Sequence, residues 1–419
     1  MIVHDTLPNG VRLVTETMPH VRSVSLGVWL ARGSRHEVPE QGGIAHFIEH
    51  MLFKGTERRT AQDIAQQFDS MGGHLDAFTS KEYAGYYVKA MDEHLPRAFD
   101  ILSDLVLNPA FPAEEIEREK KVILEEIKMV EDTPDDLVHE LFTEHYWRDH
   151  PLGRPILGTP DTVESFDRDV LLRYFRQAYV GRNLIVSAAG NFDHAELRDM
   201  VAEVFGRIPD AGADWQESAP AANPPLFERH KDLEQSHIVV GTPAFPQAHA
   251  DRYPEFLLNV ILGGSMSSRL FQTIREQRGL AYAVFSGISS YRDTGMLSVY
   301  AGCAAESVAE VVDLVFDEMR TMRREPVSDD ELRRAKDHLK GSLMLSLEST
   351  SSRMTHLARH EMYFGRHVTL DEMIAGVERT TAEDVQRVAG ELFTQDTVGV
   401  TVLGPSGPSA LDFTRLAVA

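Results

Sequence analysis

Ala211-Gly212-Ala213-Asp214-Trp215-Gln216-Glu217-Ser218-Ala219-Pro220-Ala221-Ala222-Asn223-Pro224-Pro225 interrupts this 419-residue chain. The stretch is small, proline-rich and without apolar periodicity, which reads as a linker, placed at 211–228. A chain of this length exceeds what one ordinary core organises. The reading is therefore a first domain over 1–210, the linker, and a second domain over 229–419.

The halves carry matching fragments. Phe99-Asp100-Ile101-Leu102, then Pro112 and Glu115, are answered by Phe316-Asp317-Glu318-Met319, then Pro326 and Glu331. Val163-Glu164 with Asp169-Val170 finds a counterpart in Val377-Glu378 with Asp384-Val385, and Gly190 in Gly404. A shared offset points to two copies of one unit. Within the first copy, 11–16 and 23–30 alternate like strands of a half-exposed sheet, and 75–80 with 83–90 forms a hairpin pair. Stretches 93–106, 113–130 and 135–147 have helical periodicity. Strands and helices that do not strictly alternate predict an α+β fold: two homologous domains, each a largely antiparallel sheet with helices packed on one face.

Composition narrows the function. The formal charge of −23 disfavours nucleic acid, which needs clustered Lys and Arg, and suits attraction of cationic ligands or plain solubility. A single cysteine, Cys303, excludes an internal disulfide and a thiolate metal cluster. No apolar run is long enough to cross a membrane, and no secretory signal opens the sequence, so the cytoplasm is the expected location and no membrane partner is expected.

His46-Phe47-Ile48-Glu49-His50 carries the candidate chemistry. On a helix entered through Gly42-Gly43, two histidines four apart present their imidazoles on one face, where one zinc ion accepts a nitrogen from each. Glu49 beside them suits a general base on a water that the cation has acidified. At this histidine content the pentapeptide arises by chance about 0.07 times per chain. The bland alternative is two packed or surface histidines with Glu49 in a local ion pair. A catalytic zinc needs a third protein ligand, and the charged helix around 114–126 offers carboxylates. Glu119 and Glu126, seven apart, lie along its apolar stripe of Ile116, Ile123 and Ile127; ion pairing on a solvated face is the competing explanation.

His-x-x-Glu-His is the inverzincin signature. Together with Leu7-Pro8-Asn9-Gly10, the run from Gly43 to Thr56, Pro151-Leu152-Gly153 and Ile156-Leu157-Gly158, it resembles the pitrilysin/insulinase superfamily of metallopeptidases, especially bacterial relatives of the mitochondrial processing peptidase β subunit. The resemblance spans essentially the whole chain. It implies a zinc endopeptidase forming half of a clamshell, with one Zn2+ per chain held by His46, His50 and Glu126. Glu49 would activate the water, and Glu119 would support the site from behind. Along the substrate it implies Phe53, the edge-strand residues Ala77, Phe78 and Thr79, and the acidic pair Asp136 and Glu140 for an arginine upstream of the cut. Arg275 and Tyr282 would come from the second, catalytically silent half. The glycine-containing stretch 263–270 is short, unlike the long loop of the non-catalytic processing-peptidase partner, which favours a self-sufficient chain. Members of this size pair, so a homodimer enclosing an acidic chamber for unfolded peptides is expected. The alternative is a non-catalytic or partner-dependent subunit serving as a structural or peptide-binding scaffold.

Overall fold

In the computed structural model, which describes residues 2–210 and 218–405, the alternating segments form two sheets. The first contains β1 (Ile2–Thr6), β2 (Arg12–Thr17), β3 (Ser23–Leu30), β4 (His74–Thr79), β5 (Ala84–Met91) and β6 (Leu184–Gly190), in the order β1-β2-β6-β3-β5-β4. Only β2 and β6 run parallel; the other neighbours are antiparallel. The second contains β7 (Leu226–His230), β8 (Ser236–Ala244), β9 (Ala281–Ser290), β10 (Gly295–Cys303) and β11 (Gly399–Gly404), in the order β7-β11-β8-β10-β9. Its single parallel pair, β7 with β11, takes the place of β2 with β6. The second sheet thus repeats the first without its outermost strand, and the α+β class with two homologous domains holds.

One face of each sheet packs on helices from its own half. In the first, Val24, Leu26, Val28 and Leu30 of β3 join Phe47, Ile48, Met51, Ile101 and Ile123 in one core. In the second, Ile238, Val240, Leu297 and Val299 meet Leu257, Val312, Phe316 and Val388.

The opposite faces are also covered, and here the chain exchanges segments. Trp29, Ile185 and Ala189 of the first sheet pack against Met354, Ala358 and Met362 on the helix Thr350–Phe364. The Trp29 indole donates to Ser187 Oγ at 2.7 Å, so its one polar group stays paired in this layer. On the second sheet, Val239, Met296, Tyr300 and Leu403 pack against Leu137, Val138, Leu141 and Phe142 on the helix Pro134–Tyr146. The chain accordingly forms two units that are not contiguous in sequence. One gathers residues up to Met129, those from Arg154 onward in the first half, and Ser346–His367; the other gathers Val130–Gly153, Ser218–Leu345 and the residues from Val368.

The structure differs from the sequence reading in two particulars. Ser23–Leu30 is buried on both faces, because a helix from the other half of the chain covers the side read as solvent-exposed. The stretch read as linker ends sooner than 228, since β7 opens at Leu226 and pairs with β11; residues 211–217 of that stretch lie outside the described residues. Among the described residues no helix is long and apolar enough to cross a membrane.

Candidate metal centre

The helix Ile44–Leu52 buries Ile44, Ala45, Phe47, Ile48, Met51 and Leu52. With these facing the core, a 3.6-residue repeat leaves His46, Glu49 and His50 together on the remaining half-buried face. Two devices fix where this helix begins. Its N-cap, Gly43, has φ 92°, and a Cβ there would lie 2.5 Å from Leu157 O. Gly158, with φ 75°, approaches in return so closely that a Cβ would lie 2.3 Å from Gly42 O. Gly43 and Gly158 therefore form the two halves of one backbone contact that only glycine permits at either position. The second device is Glu37, whose carboxylate accepts from Gly43 N at 2.9 Å and Ala45 N at 2.8 Å. A buried acid at a helix N-terminus satisfies amides that have no intrahelical partner. Burial pushes its carboxyl up to about 8, and the two amide bonds work against that rise.

The helix Ala113–Glu131 supplies the facing wall. Its buried residues are Ile116, Glu119 and Ile123, so Glu119 occupies the core-facing stripe, and Glu126, half-buried, follows two turns later. Glu126 Oε2 lies 3.7 Å from His46 Nε2 and 3.6 Å from His50 Nε2. Both separations are long for hydrogen bonds. They approach the spacing of about 3.3–3.6 Å between ligand atoms each 2.0–2.2 Å from a tetrahedral zinc. One donor atom from each of the three residues lies within 4.8 Å of the others. Two imidazole nitrogens and a carboxylate oxygen suit a borderline divalent cation, and the geometry fits one.

Surrounding groups orient these donors. His50 Nδ1 is 3.0 Å from Glu119 Oε2, and Lys54 Nζ is 2.7 Å from Glu119 Oε1. With Nδ1–H donating to Glu119, the Nε2 lone pair is the one that faces Glu126. Burial alone would raise the Glu119 carboxyl, but the bonds from His50 and Lys54 outweigh it and hold the group below its ordinary value. For His50 burial works downward, and the hydrogen bond to Glu119 with the charges of Glu126 and Glu119 turns the net shift upward. His46 behaves differently: burial, then the neighbouring His50, lowers it to about 3, leaving a neutral ring with a lone pair to offer. Glu119→Gln keeps the shape of that support and removes its charge. It is expected to weaken zinc binding about 10–100-fold, measured by competition with a chromogenic chelator, with the fold retained by circular dichroism.

Glu49 accepts a hydrogen bond from Thr79 Oγ1 at 2.6 Å. Burial raises its carboxyl above the ordinary range, Thr79 and His50 oppose the rise, and Glu126 adds to it. A carboxylate so raised is a stronger proton acceptor.

The remaining expected residues are distributed as follows. Ala77, Phe78 and Thr79 lie on β4, which among the described residues pairs only with β5 and so forms a sheet edge. The Phe78 ring packs edge-on to Trp29 and Tyr83, at 5.9 and 5.7 Å between centroids. Phe53 follows the last turn of the His46 helix and packs, partly buried, on the first core. Arg275 and Tyr282 belong to the second unit, where the structure brings them together: the guanidinium lies 4.8 Å from the Tyr282 ring and 4.7 Å from Phe271. Tyr282 is 80% exposed, on edge strand β9. Asp136, exposed, and Glu140, half-buried, are on the helix Pro134–Tyr146, also in the second unit. Glu37, Lys54 and the bond from Thr79 to Glu49 escaped the sequence reading. Glu37 precedes its helix by more than a capping box does, so no local spacing marks it.

Comparison with known proteins agrees with this architecture. Residues 12–160 match the family described as Insulinase (Peptidase family M16), and residues 165–339 match the Peptidase M16 inactive domain. A Bacillus subtilis (strain 168) protein named as an uncharacterized zinc protease is 44% identical over 407 residues, covering 97% of this chain and 99% of that one. A Streptomyces coelicolor protein of the same description is 40% identical over 410 residues, covering 96% of this chain and 89% of its own. Two solved structures share the fold at 21% identity: a peptidase M16 inactive domain from Pseudomonas fluorescens (TM-score 0.91, covering 97% of this chain and 98% of that one) and a protease from Helicobacter pylori (TM-score 0.88, 97% and 99%). This chain belongs to the insulinase family of peptidases, peptidase family M16, within the pitrilysin superfamily.

Proposed function

We propose that the chain is a zinc-dependent endopeptidase that cuts extended peptides, with zinc held by His46, His50 and Glu126. The observation that carries this reading is the approach of those three donors to within 4.8 Å of one another, with Glu49 on the same helix face. Relatives named zinc proteases support the choice of metal. Zinc bound there would act as a Lewis acid, acidifying water and polarising a peptide carbonyl. Glu49 takes the proton from the attacking water and returns it to the leaving amine, while Thr79 keeps its carboxylate aimed. Glu119 holds the His50 ring in the tautomer that presents Nε2. The free edge of β4 at Ala77 and Phe78 takes the peptide as an added strand, a mode that requires an unfolded substrate. Phe53 receives the side chain after the cut. Arg275 holds peptide carbonyls, Tyr282 donates to the developing oxyanion, and Asp136 with Glu140 favours a basic residue. The working form is a cytoplasmic homodimer whose acidic chamber admits unfolded chains.

The test is digestion of an unfolded peptide library, alongside a folded protein, by the purified chain with and without chelator. Internal cuts in the peptides that stop on chelation and return with added Zn2+ are the expected result, together with a dimeric mass in light scattering. Chelator-resistant cutting would end the metal mechanism. A metal-loaded dimer that cuts nothing would favour the scaffold reading.

A further inference from the structure

A second set of metal-competent side chains lies outside the centre already described. The helix Thr350–Phe364 carries His356 and His360 one turn apart, and ends at Gly365, whose φ of 63° is left-handed. That turn, which glycine adopts without strain, brings His367 back beside the helix. The ring centroids stand 3.7 Å apart for His356 and His360, 5.6 Å for His360 and His367, and 5.9 Å for His356 and His367. One nitrogen from each lies within 4.8 Å of the other two, the same closeness that gathers His46, His50 and Glu126. Among the described residues these two are the groups of three or more potential ligands that meet this closeness.

We propose that His356, His360 and His367 form a second binding site for a divalent transition ion. An imidazole binds a transition ion through a ring nitrogen, and here one nitrogen of each ring is already within reach of a shared ion. Donors that are all nitrogen select zinc, nickel or copper over calcium and magnesium, which demand oxygen. His360 is 8% exposed and the other two are half-buried, so part of the cost of desolvating the rings is met by the fold before an ion arrives. The site serves no step of peptide hydrolysis. Met354, Ala358 and Met362 face the first sheet. His356 lies two residues on from Met354, about 200° around the helix, and so points away from that sheet. A cation there ties the turn after Gly365 onto the helix and stabilises the segment that covers the sheet.

Equilibrium dialysis of the full chain, stripped of metal and returned to Zn2+, decides the matter. Two equivalents per chain are expected for the parent, one for His46→Gln/His50→Gln and one for His356→Gln/His367→Gln, each checked for folding by circular dichroism. The two double variants separate this site from the peptidase centre, so either fails without the other. A parent that binds a single equivalent, lost in His46→Gln/His50→Gln, overturns the proposal. So does a second equivalent whose affinity is unchanged in His356→Gln/His367→Gln. Should a double variant unfold, the single substitution His367→Gln, at a half-buried position beyond the helix end, is expected to weaken the second zinc at least ten-fold; no change there also overturns the site.

Discussion

Glu49→Gln is expected to lower kcat for peptide cleavage by about 10²–10⁴-fold while leaving zinc bound. Glutamine has the shape of the acid and still accepts the hydroxyl of Thr79, so the helix face that holds His46 and His50 stays in place. What disappears is the group proposed to take the proton, in a position where burial has raised its proton affinity. A loss in kcat with KM and zinc content near parental values separates a base from a ligand or a substrate contact. The measurement is initial rate on a quenched-fluorescence peptide, with zinc by atomic emission on the same sample. A Glu49→Gln protein that cuts as fast as its parent removes Glu49 from the mechanism.

The helix that carries the candidate centre was legible because its signal is local. His46, Glu49 and His50 fall on one face by spacing alone, and Gly42-Gly43 marks the entry. The opposing carboxylate was only half legible: the stripe of Ile116 and Ile123 put both Glu119 and Glu126 at the buried face, and the family resemblance supplied the choice between them. The strand order was hidden, since pairing of β2 with β6 joins segments far apart in sequence. The exchange of helices was hidden for a different reason. Trp29 shares the second face of β3 with the small residues Ser25 and Gly27, which alternate with Val24, Leu26 and Val28, a pattern that reads as a solvated surface. The small residues instead leave room for the helix Thr350–Phe364: Ser25 Oγ meets Thr350 Oγ1 at 2.9 Å. Polar side chains bonded to each other across a helix–sheet contact look like surface to any rule that counts only polarity.

Glu126→Gln tests the remaining half of the centre, and its expected effect is loss of both metal and activity. Replacing a carboxylate by a neutral amide removes the one negatively charged ligand of the proposed set, whose other members are imidazoles, so the cation would lose charge compensation as well as a bond. The decline in zinc affinity should exceed the roughly 10–100-fold that an outer supporting residue such as Glu119 controls. Because Glu126 is half-buried and lies beside His46 and His50, the variant should fold, and its melting temperature without metal should match that of the stripped parent. Zinc would then raise the parent's melting temperature at concentrations where its effect on Glu126→Gln is smaller, through the mass-action stabilisation that any ligand of the native state provides. High zinc should restore part of the cleavage rate if affinity alone has been lost, since Glu49 and Thr79 remain in place. Zinc binding and cleavage at parental levels in Glu126→Gln would mean that the third ligand is another group, and the geometry that gathers these three side chains would need a different explanation.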